Sequence, residues 1–230
     1  MTAITPGAYS KVAAKKTEAR KRQKDDYYRT WEPEPTVALL RAEPHLIGRK
    51  VWECACGGGD MARVLEAEGC NVVGTDLVDR GYGRGGVNFV AQRLPLAPII
   101  ITNPPYEKRL PSLFAEVASR MHIEEMWMLL KIDYFSAAGD FALYQRLRPH
   151  RIWQLTWRLD FLNLGSPMMN CMWVGWKRDF KGETKHGLLA KPKIENRDLF
   201  GNPDPAGRDI NWAVNDDHDL FDAPAASASG

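Results

Sequence analysis

The chain has 230 residues, eight of them tryptophan, with 44% hydrophobic residues and a formal net charge of +2. Such a length and composition fit one globular domain with appendages and a real core, and they exclude a uniform polycation. No run approaches the roughly 18 consecutive apolar residues of a membrane helix, and the N-terminus lacks the apolar core of a signal peptide, so a cytoplasmic protein with no membrane partner is expected.

Charge is unevenly spread. Residues 1–30 carry eight Lys/Arg against three acids, whereas residues 178–230 carry seven against ten. The run "SKVAAKKTEARKRQK" at 10–24 has helix-forming composition but no apolar stripe wide enough for a core. Residues 1–26 are therefore read as a solvated basic arm. Its Lys15, Lys16, Arg20, Lys21 and Arg22 are candidates for phosphate contact. An irregular aromatic stretch, "DDYYRTWEPEP", precedes a short helix carrying Val37, Leu39 and Leu40.

A strand-helix alternation then begins. "KVWECA" reads as a strand, "DMARVLEAEG" as a helix closed by Gly69, and "NVVGTD" as a second strand. "VNFV" reads as a short third strand and "PIIIT" as a buried fourth. Residues 109–121 place Leu110, Leu113, Phe114, Val117, Ala118 and Met121 on one helical face. "MWMLLK" follows as a fifth strand and 136–147 as a helix. "RIWQLTW" and "CMWVGWK" are two further strands, joined by "RLDFLNLGSPMMN". Their tryptophans, Trp153, Trp157, Trp173 and Trp176, are expected in the core.

Repeated β-α-β units predict an α/β fold: a doubly wound, mainly parallel seven-stranded sheet with an antiparallel last strand. The expected domain spans 27–180. Residues 181–230, rich in Gly, Pro, Asn and Asp and ending in "APAASASG", are expected to form a tail with little core. The four cysteines lack paired Cys-x-x-Cys spacing and a nearby His cluster, so no metal site is expected.

The first strand-helix-strand unit has the plan of a nucleoside site. Its first strand ends in Glu53, a turn with Gly57, Gly58 and Gly59 follows, and the second strand ends in Asp76. Glycine lets a backbone approach a ligand, and an acid at the second strand's end can accept both ribose hydroxyls. The turn departs from Gly-x-Gly-x-x-Gly, because Ala62 takes the third glycine position. Glu53 would repel a diphosphate and suits a cofactor with a positive charge.

With "TNPPY" at the end of the fourth predicted strand, these residues resemble class I S-adenosylmethionine-dependent methyltransferases, specifically the phage and bacterial N6-adenine DNA methyltransferases. The likeness covers roughly residues 27–176. It implies a Rossmann-like methyltransferase fold and S-adenosyl-L-methionine as cofactor. It further implies cofactor contacts from Tyr28 and Thr30 in a Tyr-x-Thr segment, Glu53, Ala55, Gly57 and Gly59 in the glycine turn, Asp76 and Leu77, and Asn88 with Phe89 beside the adenine. Trp31 stands where the family has proline, Asn88 replaces a commoner acid, and no large target-recognition domain follows.

The resemblance also gives the Asn103-Pro104-Pro105-Tyr106 corner a catalytic role. An exocyclic amine is planar, with its lone pair delocalised into the ring, and it must pyramidalise to attack a sulfonium methyl. The Asn103 side-chain oxygen and the Pro104 carbonyl are the expected acceptors for its hydrogens. The prolines fix φ and hold that carbonyl, and Tyr106 offers a stacking face for an extruded base. Phe161, in the loop after the sixth predicted strand, is a candidate for the base's other face. The implied substrate is adenine in double-stranded DNA, flipped out of the helix. The same corner would also serve an RNA base amine or a protein glutamine amide, and a non-catalytic nucleoside-binding subunit is the alternative from another class. Target sequence and oligomeric state stay open.

Overall fold

A computed structural model of the protein describes residues 28–107 and 109–194. The basic arm, with Lys15, Lys16, Arg20, Lys21 and Arg22, lies outside the described residues. Seven strands are formed: β1 (Lys50–Glu53), β2 (Asn71–Gly74), β3 (Ile99–Thr102), β4 (Glu125–Lys131), β5 (Arg151–Leu159), β6 (Met169–Lys177) and β7 (Lys185–Leu189). Among the described residues four α-helices accompany them: α1 (Glu34–Ala42), α2 (Asp60–Ala67), α3 (Leu110–Arg120) and α4 (Phe141–Arg146).

The strands make one sheet in the order β2-β1-β3-β4-β6-β5-β7. All neighbours pair in parallel except at β6, which runs antiparallel to both β4 and β5. The mainly parallel, doubly wound sheet is thus the fold. Its antiparallel member is β6, the strand "CMWVGWK" expected last, and beyond it β7 pairs in parallel with β5.

Burial explains the winding. Every residue of β3 is buried, as a central strand covered on both faces requires. Ile99 and Ile101 pack with Leu39 of α1 and Leu65 of α2. Ile100 packs on the opposite face with Phe114 and Val117 of α3. Burying each such side chain contributes about 1.5–3 kcal/mol. Three tryptophans, Trp52, Trp127 and Trp173, are fully buried, and the Trp173 indole donates to the Pro35 carbonyl at 2.8 Å.

Three local expectations differ from the structure. "VNFV" is no strand: the Asn88 side chain accepts from the Val90 N–H at 3.0 Å and caps a 3-10 turn at Phe89–Ala91. That local bond competes with a ladder and turns Phe89 into the core. The helix expected at 136–147 is reduced to α4, preceded by 3-10 turns at Tyr134–Ser136 and Ala138–Asp140. Residues 185–189, read as tail, form the seventh strand. There Gly187 lies where a Cβ would come within 2.2 Å of the Trp153 ring, so its missing side chain lets β7 dock.

The strand order turns back at β1: β2 lies on one side and β3 on the other. In open α/β sheets, ligands bind at the carboxyl ends of strands at such a switch point. Glu53 and Asn103 stand there.

Candidate active site

A cavity of about 270 Å³ opens at that point. Its wall includes Tyr28 and Thr30, Glu53, Ala55 and Gly57, Asp76 and Leu77, Asn88 and Phe89, and Asn103 to Pro105. Nine of the ten residues expected to hold the cofactor, and three of the four at the Asn-Pro-Pro-Tyr corner, therefore meet around one space. Gly59 does not line it. Its φ of +86° and its missing Cβ make room for the Tyr82 ring, which a side chain there would meet at 2.3 Å.

The glycine turn and the end of β2 are fastened through Asp76. Its carboxylate accepts from the Gly57 N–H at 2.8 Å and from the Val78 N–H at 2.9 Å. Each oxygen retains a lone pair with which to accept a hydroxyl. Gly57 has a φ of +54°, a conformation that glycine reaches without a Cβ penalty.

Glu53 is only 2% exposed at the end of β1. It accepts from the Thr102 hydroxyl at 2.5 Å and from the Ala55 N–H at 3.2 Å. Burial pushes its carboxyl up to about 8, with Asp76 adding repulsion and the two hydrogen bonds opposing the rise. A ligand cation beside it would favour the charged form. This suits an ammonium or sulfonium and not a phosphate.

Asn103 is held from the segment preceding α1. Its Nδ2 donates to the Thr30 hydroxyl at 2.9 Å and to the Tyr28 carbonyl at 3.2 Å. Since a carbonyl only accepts, this pair fixes which end of the amide carries the hydrogens. The Asn103 Oδ1 is buried and has no hydrogen-bond partner among the described residues. A buried acceptor with no partner on a cavity wall suits an incoming donor.

Tyr106 stands beside the cavity. Its hydroxyl donates to the Leu129 carbonyl at 3.1 Å, and the Lys131 ammonium lies 5.5 Å from its ring centre. Tyr28 stacks on it at 6.2 Å and 26°, and Phe161 meets it edge-on at 6.1 Å and 60°. Three rings thus gather next to Asn103. Phe161 is 6% exposed at the root of the β5–β6 turn.

The expected adenine contacts are only partly available. Asn88 lines the cavity with its oxygen engaged by Val90, and Phe89 packs on Trp52 and Phe114 at 5.2 and 4.5 Å. Sequence reasoning missed Arg29 and Asp60, which line the cavity and pair through both guanidinium nitrogens facing the acid, at 2.9 and 2.6 Å. An acid opening the helix after the glycine turn was the available signal. Arg80 and Glu107 also line the cavity. The four cysteines are buried and free, and no group of three or more potential metal ligands occurs among the described residues. No helix of those residues is long and apolar enough to cross a membrane.

No protein-family model matches the chain, and no curated protein matches it in sequence. Solved structures share its fold. One is a provisionally assigned class I S-adenosylmethionine-dependent methyltransferase from Listeria monocytogenes, with TM-score 0.53 and 11% identity, covering 79% of this chain and 70% of that one. Another is the modification subunit of a provisionally assigned type I restriction enzyme from Vibrio vulnificus YJ016, with TM-score 0.52 and 14% identity, covering 82% of this chain and 51% of that one. A third is a provisionally assigned RNA methyltransferase from Pyrococcus horikoshii, with TM-score 0.51 and 10% identity, covering 74% of this chain and all of that one. The chain has the fold of class I methyltransferases.

Proposed function

We propose that the protein transfers a methyl group from S-adenosyl-L-methionine to the exocyclic N6 of an adenine flipped out of DNA. The observation that carries this reading is the orphaned Asn103 Oδ1, a buried acceptor held in place at the end of β3. The cavity residues fit the cofactor. Asp76 would hold the ribose hydroxyls, Glu53 would face the cationic methionine end, and Phe89 with Asn88 would border the adenine. When bound, the cofactor supplies a methyl carbon activated by a sulfonium.

The chain's own residues prepare the nucleophile. Asn103 Oδ1 accepts one hydrogen of the amine and the Pro104 carbonyl the other, which draws the nitrogen out of the ring plane. The nitrogen lone pair would thereby be freed to accept the methyl group that the cofactor would supply. A neutral amide is a poor base, so the extra proton leaves to solvent after transfer. Tyr106 holds the base plane. The segment Tyr28–Thr30 fixes the amide in one orientation.

DNA is favoured over RNA or a protein amide by two sequence features: the Tyr-x-Thr-like segment before the first strand, and the basic arm. Asn103→Ala tests the chemistry. Turnover should fall by about two to three orders of magnitude, the scale for losing one preorganised polar partner, with cofactor affinity nearly unchanged. A fully active variant would remove the role of Asn103.

A further inference from the structure

We propose that the turn between β5 and β6, residues 160–168, is a wedge that enters duplex DNA beside the flipped base, with Arg158 and Lys131 holding the flanking phosphates. The proposal rests on the reading that the substrate is DNA.

The turn is built to project. Its root is locked by Asp160, whose N–H donates to Glu32 at 2.8 Å and whose carbonyl accepts the Trp31 indole at 2.6 Å. The Asp160 carboxylate accepts from the Ser166 N–H at 3.2 Å, and the Met168 N–H donates to the Leu159 carbonyl at 3.2 Å. Asn163 and Gly165 take positive φ, 50° and 67°, which reverses the chain tightly. Phe161 at the root touches both Tyr106 and Tyr28. The turn therefore rises directly from the aromatic corner.

The outer part of the turn is apolar without serving the core. Leu164 is 48% and Met168 46% exposed, and Ile132 at the neighbouring end of β4 is 45% exposed. The Ile132 N–H donates to the Asn170 carbonyl at 3.2 Å, which ties that end of β4 to β6. Exposed apolar side chains grouped at the rim of a site mark a surface that meets a partner. Charge selects among partners. Arg158, exposed and registered opposite Asn170, and Lys131, beside Tyr106, form no ion pair with a described residue. Apolar tips flanked by cations suit a nucleic acid: Leu, Ile and Met are the residues that enter base steps, while Arg and Lys take the phosphates. A base that leaves the stack opens a gap, and a side chain filling it offsets part of the extrusion cost.

The test uses the full chain with S-adenosyl-L-methionine and a duplex carrying a 2-aminopurine reporter, whose fluorescence rises on unstacking. The same labelled strand, single, is titrated in parallel by anisotropy. The Leu164→Ser/Met168→Ser variant should lose the fluorescence rise and bind the duplex roughly tenfold more weakly, since it can no longer fill an opened base step. Its single-strand binding, cofactor affinity and melting temperature should stay those of the unaltered protein. Leu164→Phe, still apolar, should keep the rise. Arg158→Ala should lower the salt slope of duplex binding by about one. A serine variant that unstacks the duplex normally, an equal loss on duplex and single strand, or no duplex binding by the unaltered protein would overturn the wedge; the last would point to a protein partner for this patch. Because binding is read without turnover, a protein that unstacks DNA through this turn yet transfers no methyl would sink the methyltransferase reading and leave the wedge standing.

Discussion

The Thr30 hydroxyl accepts a 2.9 Å hydrogen bond from the side-chain amide of Asn103, joining the segment before α1 to the end of β3. This contact, with the Tyr28 carbonyl as second acceptor, sets the direction in which Asn103 Oδ1 points. Position, more than basicity, is what the corner provides.

Thr30→Val should consequently loosen the amide without touching its oxygen. Turnover should fall by roughly tenfold, about 1.4 kcal/mol, the scale of one net hydrogen bond. The loss should appear in kcat more than in KM, and Thr30→Ser should restore it. Steady-state kinetics on the three proteins decides this, and an equally slow serine variant would point to packing instead.

Glu53 makes the unliganded fold sensitive to pH. Its carboxyl titrates at about 8 in the folded protein, against an ordinary value of 4.5. Between those values the folded state binds more protons than the unfolded one, so stability falls as pH rises. The contribution is fully present below about 4.5 and is lost as pH passes 8. Melting curves from pH 5 to 8.5 should show that decline, and Glu53→Gln should flatten it. Binding a cationic cofactor beside Glu53 should release about one proton at pH 7, measurable by calorimetry in two buffers of different ionisation enthalpy.

Asp76 supports the glycine turn and is also assigned to the ribose. Asp76→Asn keeps one oxygen acceptor but loses the charge, and should weaken cofactor binding by about 1–3 kcal/mol. Asp76→Ala should cost more, because the Gly57 and Val78 N–H groups then lose their partner. Unchanged affinity in a folded Asp76→Asn variant would remove the ribose assignment.

Gly59 holds a left-handed backbone beside the Tyr82 ring. Gly59→Ala should destabilise the fold by ~1–3 kcal/mol through its left-handed backbone, with a further loss from displacing the Tyr82 ring. Tyr82→Ala should relieve only the second part, so the double variant should be less destabilised than the sum of the singles. Urea unfolding of the four proteins gives the coupling.

The site's local parts were legible because local chemistry dictates them. The apolar run 98–101 followed by two prolines can only be a buried strand that stops, and Gly57 to Gly59 can only be a turn. Other features required the chain's return from afar. Nothing near Lys185 announces that Gly187 will receive the Trp153 ring, and Asn88 gives no sign that its own Val90 N–H will outbid a strand partner. The Arg29–Asp60 pair joins a pre-strand segment to a helix start, a distance no periodicity spans. The Tyr82 ring beside Gly59 is likewise a contact that no local pattern announces.

Methyl transfer to adenine N6 is tested by incubating the protein with methyl-labelled S-adenosyl-L-methionine and separate pools of duplex DNA, RNA and protein, then digesting each to nucleosides or amino acids. Label should appear in N6-methyldeoxyadenosine from the DNA pool and nearly disappear with Asn103→Ala. Label in an RNA nucleoside or in methylglutamine, or cofactor binding with no transfer to any pool, would contradict it.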